Sequence, residues 1–337
     1  MERNYAIDFI KFFAILAVVV IHTFPRDHQF GYFILDNVSR FAVPFFFAAS
    51  GYLFGLKVIS HPDSLEYYKR YITKILKIYA SWLLFYFCYD LIAIFIIGED
   101  VHQYLQGFTA ANLLYYGKGT SGYQLWFVIA LAWSITVLYL FFRLQKIGLL
   151  LIIALCMNIA GLFGQSYSLF CELPLPTRDA AFIGLFYTAA GFWFAYSRIH
   201  RRFSKKTYLY LYFFFSALQA AEGYLMEKVL AASHGEYFLS TIFLTVSLFL
   251  FAVNHPELGK GLGITKIGGN ALGIYAIHVF FIDMIDIATA KLGFEHAPQN
   301  GWWNMVDTFL VFTLSYAAYQ FLQAAKIRLR GSPKEEE

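Results

Sequence analysis

Residues 3–25 read RNYAIDFIKFFAILAVVVIHTFP, an apolar run of about 18 residues that, as a helix rising 1.5 Å per residue, crosses most of a bilayer's hydrocarbon core. Asp8, Lys11 and His22 lie inside it. Each costs free energy at membrane depth, so such groups face a bundle interior or a water-filled cavity and mark a functional-site candidate. The run carries charges internally and has no small-residue cleavage pattern before Pro25, so it is expected to be a retained span and not a removed leader.

The rest of the chain has the same character. Of 337 residues, 59% are hydrophobic, 20% aromatic and 14% charged, against about 25% charged in soluble domains. Apolar runs predict an all-α, polytopic membrane bundle of about ten transmembrane helices, near 7–24, 38–57, 74–97, 122–142, 147–165, 180–197, 207–225, 237–254, 269–289 and 303–325. One transmembrane domain is expected over about 1–325, then a short cytoplasmic tail over 326–337, basic and then acidic and without an assigned role.

With the N-terminus in the cytoplasm, about nineteen lysines and arginines fall on inner segments, Lys57, Arg143, Arg198, Arg201, Arg202, Lys326 and Lys334 among them. About five fall outside: Arg26, Lys118, Arg178, Lys228 and Lys291. Losing or gaining one helix would reverse this bias, so both termini are expected inside. The net charge of +4 says little about partners beside this distribution. Outer loops at about 25–37, 98–121, 165–179 and 290–302 are rich in aromatic and polar residues, which suits either a wall around an outer mouth or an ordinary interfacial belt. Cys88 and Cys156 fall in apolar segments and Cys171 in a loop, which gives no disulfide framework. No internal repeat stands out, which weakens the case for an inverted-repeat transporter.

On a helix wheel, Lys11 and His22 are eleven positions apart, about 20° from alignment and about 16 Å apart along the axis. Asp8, fourteen positions before His22, returns to nearly the same face. The stripe reads either as the polar lining of a cavity or as an interfacial Asp8–Lys11 pair with a separate outer-interface histidine.

The pattern IDFIKFFAILAVVVIH, a basic residue followed after ten positions by histidine, resembles the start of the acyltransferase 3 family. SRFAVPFFFAASGYLF with its Ser50–Gly51 pair, YQLWFVIALAW and IGGNALGIYAIHVF match further stretches of that family in order. Within it, the chain resembles bacterial O-acetyltransferases of envelope polysaccharides, that of the enterobacterial common antigen among them. The chain departs from the family at YYKRYITKILKIY, where Lys74 and Lys77 stand at the spacing of two arginines. Lysine keeps the charge and loses bidentate phosphate geometry.

The resemblance implies a multi-pass protein of the bacterial cytoplasmic (inner) membrane that takes an acyl group, acetyl above all, from cytoplasmic acyl-CoA. The acceptor is a hydroxyl of an extracytoplasmic glycan or its lipid-linked precursor. Lys69, Arg70, Lys74 and Lys77, at the expected start of the third helix, would hold coenzyme A phosphates as point charges, helped by the helix N-terminus. They serve equally as positive-inside anchors. His22 is the expected general base, its ordinary pKa of about 6.5 suiting proton removal near neutrality. Direct transfer and an acetyl-histidine intermediate both remain open.

Lys11 is expected to guide the donor or stabilise negative charge, and Asp8 to neutralise Lys11 or order the inner mouth. Arg40, a lone cation in a span, binds the acceptor or oxyanion, or anchors the interface. Ser50 and Gly51 suit a close helix approach or a ligand. Tyr123 and Trp126 line an acceptor path or belong to the aromatic belt, and His278 reads as substrate-binding or as a satisfied core histidine. Glu222, Asp283 and Asp286 have no assigned role, and no metal spacing appears. The expected partners are acyl-CoA, the glycan acceptor and membrane lipid, with no nucleic acid. Two other classes compete: a transporter-like protein for a small solute such as an amino acid, and a structural envelope protein.

Overall fold

The computed structural model describes residues 3–24, 30–98, 100–171, 173–197, 203–294 and 300–330, and among these it is helical with no strand. Local capping sets the boundaries. Asn4 accepts from Ile7 N at 3.2 Å to start α1 (Tyr5–Thr23). After α2 (Phe30–Ser39) and α3 (Ala42–Ser60), Asp63 accepts from Leu65 N and Glu66 N at 2.9 and 3.0 Å to start α4 (Ser64–Ile97), the N-cap arrangement that satisfies otherwise orphaned amides. Gly98, at φ +80°, ends it, as a left-handed glycine commonly does.

The order continues with α5 (Val101–Leu105), α6 (Trp126–Arg143), α7 (Ile147–Leu162), α8 (Leu185–Ser197), α9 (Lys205–Tyr224), α10 (Leu239–Asn254), α11 (Gly263–Gly269), α12 (Ala271–Lys291) and α13 (Gly301–Arg330). Among the described residues seven segments are long and apolar enough to cross a membrane, beginning at Tyr5, Gly31, Ser64, Tyr123, Ala180, Ala271 and Gly301. Each of the other three expected spans meets a helix: α7 and α10 are apolar with 16 residues each, and α9 has 20 residues without so apolar a stretch.

The structure corrects three boundaries. The helix expected from 74 starts at Ser64, because Asp63 caps it and its polar first turns need no lipid. The first outer loop contains α2, and α13 runs on into the tail as far as Arg330. Arg26, Arg198, Arg201, Arg202, Lys334 and the acidic end of the tail lie outside the described residues.

Successive long helices alternate in direction. α9 and α10 join head to tail at both ends: Asn254 Nδ2 donates to Tyr208 Oη at 2.7 Å, and Glu222 caps the start of α10 by accepting from Leu239 N and Ser240 N at 2.8 and 2.9 Å. That assigns Glu222 a structural role. Where lipid gives helices no hydrophobic reason to associate, small residues permit close approach. A Cβ on Gly51 would lie 2.0 Å from Thr188 O, and one on Gly191 1.9 Å from Ala48 O, so α3 and α8 meet backbone to backbone. Gly268 of α11 meets α1 in the same way, at 1.9 Å from Asp8 O. This contact sets α12, which follows α11, beside α1.

Candidate active site

His22, in the last turn of α1, is where three elements converge. Its ring centroid lies 5.1 Å from that of Tyr123, just before α6, and 5.5 Å from that of His278 on α12. The structure thus brings together three of the residues singled out in the sequence. Of the three, His22 lines a cleft of about 410 Å³ between the ends of α1 and α12 and the start of α13, together with Thr23, Asp286, Thr289, Trp303, Asn304 and Asp307 among others.

His278 is fully buried. Its Nδ1 lies 2.7 Å from Tyr275 O; a carbonyl only accepts, so Nδ1 carries the proton and Nε2 keeps its lone pair. That Nε2 has no hydrogen-bond partner among the described residues. One network fixes the surrounding backbone. Tyr275 Oη donates to Gln124 O at 2.7 Å, and Gln124 Nε2 donates to Tyr86 Oη and Ala276 O at 2.8 and 2.9 Å. Gln124, next to Tyr123, therefore ties the entrance of α6 to α12, the two elements whose Tyr123 and His278 rings approach His22.

Arg40 is not a lone cation. Its Nη2 and Nε reach Asp36 Oδ1 and Oδ2 at 2.6 and 3.1 Å, both residues are buried, and His234 Nε2 stands 2.9 Å from Nη2. The expense of an unpaired charge, which argued for a cavity-facing arginine, is met by this bidentate pair. Arg40 and Trp126 line a separate small cavity of about 30 Å³. Trp126 is buried, unlike a lipid-facing belt residue, with the Arg178 guanidinium 4.8 Å over its ring and Glu236 holding Arg178 at 2.8 Å.

Asp8 and Lys11 lie at the opposite end of α1, about 16 Å from His22. Asp8 accepts from Arg3 Nη2 at 2.7 Å and pairs with Lys11 at 3.5 Å. Ser50 Oγ donates to Phe46 O at 2.7 Å within its own helix. Lys69, Arg70, Lys74 and Lys77 are all exposed on α4. Arg70, Lys74 and Lys77 share a stripe about 60° wide, and Arg70 pairs with Glu66 at 3.1 Å. They lie one to four turns past the helix start, so the N-terminal amides do not assist them.

Three groups near the site went unassigned in the sequence: Asp307, Asn304 and Gln124. Asp307 and Asn304 lie three positions apart on α13, facing the cleft as helical neighbours do. Beyond the spans, Asp179 accepts from Phe182 N at 3.0 Å and Tyr115 Oη at 3.1 Å. Burial nonetheless pushes its carboxyl above the usual range, and burial beside Asp179 pushes the Tyr115 hydroxyl up as well. Among the described residues no group of three or more His, Cys, Asp or Glu side chains is set to hold a metal ion.

Comparison with known proteins bears on the whole bundle. An amino-acid racemase of Enterococcus faecalis is 26% identical over 355 residues, covering 98% of this chain and 47% of that protein. The chain spans about half the length of this curated relative. No solved structure matches. A family model described as an acyltransferase domain matches residues 4–320. Because that match runs from the cap of α1 through His22, Tyr123 and His278 and on into α13 beyond the cleft, the chain belongs to the acyltransferase 3 family.

Proposed function

We propose that this integral membrane protein moves an acyl group, acetyl in the first instance, from cytoplasmic acyl-CoA to a hydroxyl of an extracytoplasmic glycan or its lipid-linked precursor. His22 is the general base. The observation that carries this reading is the position of His22 at a cleft large enough for a sugar, with the rings of Tyr123 and His278 close beside it.

His22 removes the proton from the acceptor hydroxyl as its oxygen attacks the thioester carbonyl. The new C–O bond forms, the C–S bond breaks, and the departing thiolate takes the proton back from His22, so atoms and charge balance. His278 packs against His22 and holds its orientation, and Tyr123 lies close beside it. The exposed stripe of Arg70, Lys74 and Lys77, with Lys69 beside it, attracts the donor's phosphates as point charges at the end of the bundle where α4 begins. Lys11 and Asp8 form part of the polar path from that end. The protein sits in a bacterial inner membrane as ten spans with both ends inside.

The test is transfer of radiolabel from acetyl-CoA to envelope glycan by purified protein. Wild type transfers label and His22→Ala does not; equal rates would remove His22 from the mechanism. A second reading is a transporter-like protein for a small solute such as an amino acid, the class of compound in the racemase relative's name. It predicts solute uptake by proteoliposomes that is indifferent to acyl-CoA.

A further inference from the structure

We infer that the cleft beside His22 is a site for a protonated amine, and that the acceptor therefore carries an ammonium group near the hydroxyl that receives the acyl group, as an amino sugar does. This rests on the acyl-transfer reading for the hydroxyl, but the charge recognition stands on the cleft itself.

The cleft's charged lining has one sign. Asp286 reaches it from α12 and Asp307 from α13, and among the described residues no lysine or arginine lines it. Neither carboxylate makes an ion pair among the described residues, whereas the buried Asp36 holds Arg40 bidentately. Asp307 is 94% buried by its 6% exposure, and its Oδ1 is a buried acceptor without a hydrogen-bond partner among the described residues. A buried carboxylate left without a partner is costly unless a ligand supplies the charge or the donor.

The remaining walls suit an organic cation. Trp303 contributes an aromatic ring, the surface that attracts an ammonium through its quadrupole. Thr23, Thr289 and Asn304 add neutral polar groups able to fix neighbouring hydroxyls. The two carboxylates with one histidine supply too sparse and too uneven a set for a divalent metal beside an aromatic wall, whereas an ammonium with three donors can be shared between Asp286 and Asp307. His22 stands at the same cleft, so an acceptor anchored by its ammonium presents an adjacent hydroxyl to the base.

The experiment titrates D-glucosamine, N-acetyl-D-glucosamine and D-glucose against the full chain in nanodiscs without acyl-CoA, following tryptophan fluorescence and the thermal midpoint. Glucosamine is expected to bind at least tenfold more tightly than either neutral sugar, and Asp286→Asn to remove that preference. Asp307→Asn is expected to do the same; if it fails to fold, Asp286→Asn and the wild-type comparison still decide. Equal binding of the three sugars, or a glucosamine preference that survives Asp286→Asn, overturns the inference. Because no donor is present, the result is independent of acyl transfer. Label transfer to glycan alongside equal sugar binding sinks this inference alone, and amine-selective binding without any transfer sinks the acyltransferase reading while the cleft assignment stands.

Discussion

The imidazoles of His22 and His278 lie 5.5 Å apart and tilted by 30°, joined across two parallel helices that the chain reaches at opposite ends of its length. His278 donates from Nδ1 to Tyr275 O, so its tautomer is set and its Nε2, without a hydrogen-bond partner among the described residues, keeps its lone pair. Removing His22 should lower the acyl-transfer rate by about 10²–10⁴-fold, the usual worth of a positioned general base. His278→Ala should lower kcat by about 10²-fold through misplacement of His22 while leaving KM for acetyl-CoA within about twofold. Initial rates against both substrates check this; a His278→Ala enzyme with unchanged kcat would falsify the positioning role.

Lys74 and Lys77 are exposed and make no ion pair among the described residues, so replacing both with glutamine should not move the thermal midpoint beyond the small effect of surface changes. The KM for acetyl-CoA should rise about tenfold, the equivalent of about 1.4 kcal/mol, with kcat nearly unchanged. An unaltered KM would assign these lysines to membrane anchoring alone.

Asp36 and Arg40 offer a double-mutant cycle. Asp36→Asn or Arg40→Gln alone leaves one buried charge unmatched and should cost about 3–5 kcal/mol, while the double substitution should recover much of that loss. Chemical denaturation in detergent reads all three. Additive losses would show that Arg40 does its work elsewhere, at a ligand.

That pair also shows where the sequence stops being legible. The long apolar windows place every expected span on a helix, because a bilayer's thickness is written directly into run length. The stripe containing His22 follows from helical periodicity. Asp36 is four positions before Arg40 and is an ordinary helical partner, but it is hidden when residues 25–37 read as an aromatic loop. Asp307 and Gln124 are illegible for a different reason. Their significance comes from α13 meeting α12 and from the entrance of α6 meeting α12, contacts between distant segments that no local pattern encodes. The exposure of Lys69 through Lys77 depends likewise on which face of α4 the bundle covers, with Ile75, Tyr79 and Tyr86 turned inward.

Gly51 and Gly191 should tolerate no side chain. Either alanine variant forces α3 from α8, because the new Cβ would lie about 2 Å from a carbonyl oxygen on the partner helix, and a loss of about 1–3 kcal/mol is expected from overpacking. Gly31→Ala is the control. No atom comes within 4 Å of its Cβ, and in α2 it should stabilise by about 0.5–1 kcal/mol through helix propensity and reduced chain entropy. Thermal midpoints that fall equally for all three variants would contradict the close α3–α8 approach.

Asp179 gives the fold an acid-side signature. Burial raises its carboxyl above the ordinary 3.8 despite the Phe182 amide and the Tyr115 hydroxyl that favour the charged form. Between 3.8 and its raised folded value, the native state holds more proton than the unfolded chain, so the derivative of stability with pH is negative there. The contribution of Asp179 is therefore most favourable below the ordinary carboxylate range, declines as pH rises through that window, and is constant above it. Asp179→Asn keeps an acceptor for Phe182 N and removes the titration, so the stability difference between wild type and variant should shift in the variant's favour as pH rises through the window and level off beyond it. Thermal midpoints taken in parallel for both proteins from the acid side to neutrality measure this, and a difference that does not change with pH would mean that the carboxyl is as well solvated in the native bundle as in the unfolded chain.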